Sequence, residues 1–181
     1  MDRDALIASL QQAAPGAEFE SVPSVDLQTT IYAPRDGLSA IARALRDSPA
    51  LKFDFLADIT AVDFWPHEPR FEVVYMVVST ALRQRARVKI RLRSDDARVA
   101  TVSSVWPAAN WLEREVWDLF GISFDRHPDP RRLLMPEDWD GYPLRKDYPV
   151  QIQAPVRTSE PLQVTEQEFR ASLQKDRLSR G

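Results

Sequence analysis

Three β-runs follow one another between Phe53 and Arg93 with no helical pattern between them, and this constrains the fold more than any other feature. "FDFLADITAVDFW" (53–65) alternates with small breaks. "RFEVVYMVVST" (70–80) is a dense β-branched and aromatic run that reads as a central strand, and "RARVKIRLR" (85–93) alternates cleanly. A further strand pattern, "LQTTIYAP" (27–34), closes at Pro34. Helical patterns flank the cluster. Residues 4–14 place Leu6, Ile7 and Leu10 on one side behind Asp4 as a cap and end at Pro15-Gly16. Residues 36–49 place Leu38, Ile41 and Leu45 at helical spacing, with Asp36 as a cap and Pro49 as a stop. Residues 107–121 set Leu112, Val116 and Leu119 on one face and end at Gly121. Their start has two readings, an Asn110–Glu113 capping box or Pro107 as first helical residue. The stretch 95–106 reads as a loop with a short helix.

Strands that cluster rather than alternate with helices argue against a doubly wound sheet. The order predicts an α+β fold in two layers: a mixed sheet with helices on one face, plus an extended C-terminal segment. The expected divisions are an α+β domain over 1–124, an irregular proline-rich segment over 125–149 packed on it, and an extended tail over 150–181. The tail carries a short helix near 165–174 capped by Thr165 and Glu168.

Composition excludes several chemistries. There is no cysteine, hence no thiol nucleophile and no thiolate ligand for zinc or iron–sulfur clusters. His67 and His127 stand far apart in the chain, and a metal site would need His127, Asp129 and distant help; each histidine reads more simply as a surface or capping group. No nucleophile elbow, dinucleotide fingerprint or phosphate-loop motif occurs, and five glycines leave little for a phosphate cradle. No apolar run is long enough to cross a membrane, and the acidic start is neither a secretory signal nor a transit peptide, so a cytosolic-side protein is expected.

Two segments stand out. In "LRQRARVKIRLR", Arg83, Arg85, Arg87, Lys89, Arg91 and Arg93 share one strand face, with Leu82, Ala86, Val88, Ile90 and Leu92 on the other. This is a binding face for nucleic acid or an acidic protein, a solvated face paired with acids such as Glu72, or a charge-protected edge strand. In the helix at 107–121, Glu113 and Glu115 point to different sides, too far apart in direction for an acid/base pair, and Arg114 and Asp118 are spaced to pair along the helix.

"NWLEREVWDLFGISF" followed by "HPDPRRLLMPEDWDGYPLRKDYP" resembles the thirty-kilodalton subunit family of respiratory complex I, known in bacteria as the C subunit of NADH-quinone oxidoreductase. The matching blocks are Glu113–Gly121, His127–Arg131 and Gly141–Pro149, supported by "FLADITAVDF" and "FEVVYMVVS". Arg126 and Pro130 depart from the family pattern. The length fits the unfused form of this subunit. The resemblance implies a non-catalytic scaffold in the hydrophilic arm of a proton-translocating NADH:quinone oxidoreductase, beside the quinone-site and iron–sulfur subunits. It implies no cofactor in this chain (FMN, iron–sulfur clusters and quinone belonging to partners). It also implies a peripheral position on the cytoplasmic face of the bacterial inner membrane, held only through the complex. Related membrane-bound hydrogenases share the domain and are an alternative setting. A nucleic-acid module built on Arg83–Arg93 is the alternative of another class.

Each X-Pro step in 129–149 biases the preceding residue to extended geometry, so the segment is a stiffened ribbon. Its Trp, Tyr and Arg content suits a partner interface. The interface residues expected are Glu113, Arg114, Glu115, Asp118, Arg131, Arg132, Trp139, Tyr142, Arg145, Lys146, Asp147 and Tyr148.

Overall fold

The computed structural model describes residues 3–26, 28–149 and 165–171. The chain divides into two units, Met1–Tyr148 and Pro149–Gly181. The first contains α1 (Arg3–Ala13), β1 (Glu20–Val22), β2 (Thr29–Tyr32), α2 (Leu38–Asp47), β3 (Phe55–Asp63), β4 (Phe71–Ser79), β5 (Gln84–Leu92), β6 (Arg98–Ala100), α3 (Ala109–Phe120) and β7 (Ser123–Asp125). The irregular segment after β7 therefore belongs with the sheet up to Tyr148.

A five-stranded sheet runs in the order β1-β2-β5-β4-β3. β2 is parallel to β5, and the other pairings are antiparallel, so the sheet is mixed as expected. Register sorts the side chains. Ile31, Val88, Tyr75 and Ile59 fall in one row across β2, β5, β4 and β3, and the neighbouring row aligns Ile90, Val73 and Ala61. These residues share one buried cluster with Leu6 and Leu10 of α1, Leu38, Ile41 and Leu45 of α2, and Val116 and Phe120 of α3. The helices thus cover one face. Each fully buried aliphatic or aromatic side chain there contributes about 1.5–3 kcal/mol relative to exposure.

Several local expectations need correction. Asp36 does not cap α2: the cap is Gly37 in the left-handed region (φ 82°), with no side-chain bond. Neither start proposed for α3 holds, because Ala108 is its cap, without a side-chain bond, and Asn110 and Glu113 lie inside the helix. The first-turn amides are taken instead by the preceding turn, Asn110 N–H by the Pro107 carbonyl and Trp111 N–H by that of Ala108. Asp4 sits in the first turn of α1 rather than before it. The weak stretch 95–106 holds a single 3-10 turn (94–96) and β6, which pairs in parallel with β7 as a small second sheet. Three-residue strands such as β1, β6 and β7 are too short to leave a periodic pattern.

The basic strip is a largely compensated sheet face, with Arg83 and Arg85 meeting no acid among the described residues. β5 is central, which removes the edge-strand reading. Arg87 pairs with Asp26 (2.6 Å), Lys89 with the buried Glu72 (2.8 Å) and Arg91 with Glu20 (2.9 Å). Arg91 also lies over the Tyr32 ring, and the Tyr32 hydroxyl donates to Glu72. Arg93 lies past the strand end and pairs with Asp95. Arg83 turns out of the strand in a left-handed conformation (φ 51°), and Leu82, expected in the core, is exposed.

In the second unit, residues 166–171 form a helix. The Glu168 carboxylate accepts the Thr165 N–H, and the Glu168 N–H points back to the Thr165 hydroxyl, the capping box the sequence predicts. The remainder of the expected tail, 150–164 and 172–181, lies outside the described residues, as does Leu27 at the start of the second strand pattern.

Candidate functional site

α3 and the irregular segment form one structure: the segment is a clasp closed around the helix. Asp118 is fully buried on α3 and points at the segment. One carboxylate oxygen accepts the N–H groups of Leu133 (3.0 Å), Leu134 (2.7 Å) and Met135 (2.9 Å), and the other accepts from Arg132 (2.7 Å). Burial alone would raise its pKa. The Met135 amide, Arg132 and the Leu134 and Leu133 amides outweigh that and hold it below the usual carboxylate range. Arg114, one turn back, donates to the carbonyls of Arg131 (2.9 Å) and Arg132 (3.0 Å) and lies 3.4 Å from Asp129. The expected Arg114–Asp118 pair along the helix is therefore absent; each residue instead satisfies backbone groups of the ribbon, which no strand partner could serve.

The C-terminus of α3 receives the other half of the clasp. Gly121 caps the helix with φ 71°, and its N–H reaches the Trp117 carbonyl. A Cβ at Gly121 would stand 2.5 Å from both the Tyr142 ring and the Arg145 guanidinium. Arg145 donates to the Phe120 carbonyl (2.5 Å) and the Gly121 carbonyl (3.3 Å), supplying partners for helix-end acceptors, and lies over Tyr142. Arg132 donates to the Trp139 and Gly141 carbonyls, and Tyr148 to that of Asp140.

A third anchor ties the clasp to the sheet. Asp63, at the end of β3, accepts two hydrogen bonds from Arg70 (3.0 and 2.9 Å) and one from the Lys146 N–H (2.9 Å), while Arg70 also pairs with Asp147 (2.7 Å). Burial works against the Asp63 charge, but Arg70 and the Lys146 and Trp65 amides prevail and bring its pKa down to about 2. Asp63 and Arg70 are not among the site residues expected from sequence. The available signal is parity: Asp63 falls in the core-facing phase of β3, where an apolar residue belongs.

Glu113 is also wholly buried. Its carboxylate accepts the Val102 N–H (2.7 Å) and the Thr101 hydroxyl (2.5 Å), and one oxygen lies 3.7 Å from His127 Nε2. Burial raises its pKa to about 7, against the lowering effect of those bonds. His127 is held neutral by burial; Nε2 faces the Asn110 carbonyl and Nδ1 accepts the Asp129 N–H. Glu113, Arg114 and Asp118, expected at a partner surface, are buried and bonded within the chain. Arg131, Lys146 and Asp147 remain exposed, Arg132, Trp139, Tyr142, Arg145 and Tyr148 are partly covered, and Glu115 is partly exposed with no partner among the described residues. Trp111, Leu134 and Leu144 are more than half exposed on the outside of the same assembly.

Residues 31–154 match the family described as the respiratory-chain NADH dehydrogenase 30 Kd subunit. The chain belongs to that family. The NADH-quinone oxidoreductase C subunit of Saccharopolyspora erythraea is 44% identical over 149 residues, 81% of this chain and 60% of that protein. The corresponding protein of Roseiflexus sp. is 41% identical, over 83% of this chain and 86% of that one. Among solved structures, a chain of the membrane-bound sulfane sulfur reductase, an archaeal respiratory membrane complex, aligns with TM-score 0.67 and 31% identity over 81% of this chain and 85% of its own. The trypsin-resistant fragment (1–134) of Nqo5 aligns with TM-score 0.53 and 35% identity over 69% of this chain and 98% of the fragment. The chain is accordingly a subunit of a membrane-associated respiratory complex. No helix among the described residues is long and apolar enough to cross a membrane.

Proposed function

We propose that this NADH dehydrogenase-family chain is a non-catalytic scaffold in the hydrophilic arm of a proton-translocating NADH:quinone oxidoreductase. It sits on the cytoplasmic face of the membrane and grips the quinone-site and iron–sulfur subunits with the outer surface of its clasp. FMN, iron–sulfur clusters and quinone are carried by those partners. The observation that supports this is the use made of the family motifs. Their charged groups hold an irregular ribbon in one shape around α3, and the ribbon and helix leave Trp111, Leu134 and Leu144 facing outward. A rigid surface with apolar anchors binds at low ordering cost.

The test is a mild-detergent pull-down of the tagged chain carrying Leu134→Asp with Leu144→Asp, neither of whose side chains is part of the internal network. Loss of the flavin and iron–sulfur absorbance that arrives with the wild-type chain is expected, with the circular dichroism of the isolated variant unchanged. Undiminished co-purification would overturn the proposal. The likeness to the sulfane sulfur reductase supports a second setting, the same domain in a related membrane-bound complex such as a hydrogenase. The electron donor accepted by the co-purified assembly separates the two.

A further inference from the structure

An open cavity of about 590 Å³ lies between α2, the 101–104 turn, the start of α3 and the end of β7. Its walls carry Arg43 from α2 and Arg126 from the turn after β7, with Ser103, Ser104, Asn110 and Asp125. Neither arginine has an ion-pair partner among the described residues, nor does Asp125. Arg43 acts on Asp47 through space, but the hydrogen bonds of Asp47 go to Arg46. Elsewhere among the described residues Arg70, Arg87, Arg91, Arg114 and Arg132 meet acids, whereas Arg83, Arg85 and Arg145 do not. The backbone at Arg126 is left-handed (φ 62°), a conformation costly for a residue with a long side chain. The exposed Arg126 side chain lines the cavity. Ser104 has no hydrogen-bond partner among the described residues, and the buried Oδ1 of Asn110 has none either.

We propose that this cavity binds a phosphate-bearing small molecule, with Arg43 and Arg126 clamping the phosphoryl group. Two planar guanidiniums suit an oxyanion in bidentate geometry. The serine hydroxyls add donors for the third oxygen of a phosphoryl group, which the two guanidiniums alone would leave unserved. The volume exceeds that of phosphate alone and lies in the range of small-molecule sites. The exposed Asp125 is an acceptor without a donor among the described residues, which fits a hydroxyl group elsewhere on the ligand. No glycine-rich cradle is involved. The site is independent of the clasp surface, and its test uses the isolated full-length chain, so its outcome does not depend on complex assembly.

The experiment is titration of that chain with inorganic phosphate and with adenosine monophosphate at constant ionic strength, read by thermal melting and backbone amide NMR. Saturable stabilisation is expected, with shifts confined to 39–43, 103–104, 110 and 125–128. Arg43→Ala should weaken binding at least about tenfold, the loss of one charge-assisted contact. Arg126→Gly should do the same while raising the anion-free melting temperature, since glycine relieves the left-handed strain. Arg85→Ala, outside the cavity, should leave binding unchanged. Absence of saturation up to ~20 mM, where a stabilising ligand of useful affinity must register, would overturn the proposal. Stronger binding of a glutamate-rich peptide than of either phosphate compound would also overturn it, by assigning the cavity to an acidic protein segment.

Discussion

Asp118 and Leu134 are 16 residues apart, yet the carboxylate of the first accepts the backbone N–H of the second at 2.7 Å. One buried side chain thereby replaces the strand partner or helix that would otherwise satisfy three successive amides. Asp118→Ala strands those amides and leaves Arg132 without its acid, so a loss of about 3–5 kcal/mol is expected. Urea unfolding measures it. Trypsin should also cut after Arg131 or Arg132 in the variant well before global unfolding. Wild-type stability with intact 131–132 would show that the clasp is held by other means.

Gly121 is required twice, by its left-handed backbone and by the closeness of Tyr142 and Arg145. Gly121→Ala should cost about 1–3 kcal/mol for the backbone alone, plus whatever displacement the clasp suffers. Tyr142→Ala removes one of the two obstructing groups. The double variant should therefore be more stable than the sum of the single effects predicts. Simple additivity would mean that the clasp moves aside freely.

The pH dependence is set by two neighbouring groups of opposite effect. Glu113 has its pKa raised from 4.5 to about 7 by burial, so the folded state binds this proton more tightly than the unfolded chain does. Its stabilising contribution is full below about pH 4.5 and is lost as pH rises through about 7, a difference of about 3 kcal/mol at 1.36 kcal/mol per unit. His127 has a lowered pKa, so its effect runs the other way: stability is lost as pH falls through its unfolded value of 6.5. Glu113→Gln can still accept the Val102 N–H and donate to the Thr101 hydroxyl. In unfolding curves between pH 5 and pH 8, the variant should gain on the wild type as pH rises, leaving only the upward slope from His127. A wild-type curve parallel to the variant's would contradict a buried titrating Glu113. Asp63, lowered to about 2, does not titrate in this window.

The compensated sheet face makes a prediction about nucleic acid. The wild-type chain should not retard duplex DNA at ~100 mM salt, since phosphates would have to displace the acids already paired with Arg87, Lys89 and Arg91. Asp26→Asn with Glu20→Gln frees Arg87 and Arg91 and should create weak, salt-sensitive retardation. Salt-dependent binding by the wild type would restore the nucleic-acid reading of this strip.

Much of the sheet is legible in the sequence. β3, β4 and β5 are long, their side chains alternate, and burial of one face enforces the alternation; even the pairing of the basic strip with Glu72 is visible as an option. Pairing direction is not, because β2–β5 and β6–β7 join residues distant in the chain. The clasp motifs can be seen but not their use. Asp118 and Arg114 have helical spacing for a mutual ion pair, and nothing local reveals that carbonyls and amides from 131–135 compete for them. Asp63 signals itself only by sitting in an apolar phase. Arg43 and Arg126 are remote in the chain and are brought to one cavity by the packing of α2 against β6 and the following turn.

The tie between Asp63 and the Lys146 amide spans 83 residues, whereas β3, β4 and β5 close onto their immediate neighbours. On a chain made from its N-terminus, the sheet can mature early, while the ribbon that wraps α3 leaves the ribosome later. Its final shape then exists only once the sheet beneath it is sound. A copy whose sheet is unsound cannot close Asp63 onto the Lys146 amide, so the shape of the ribbon reports on the soundness of strands made long before it.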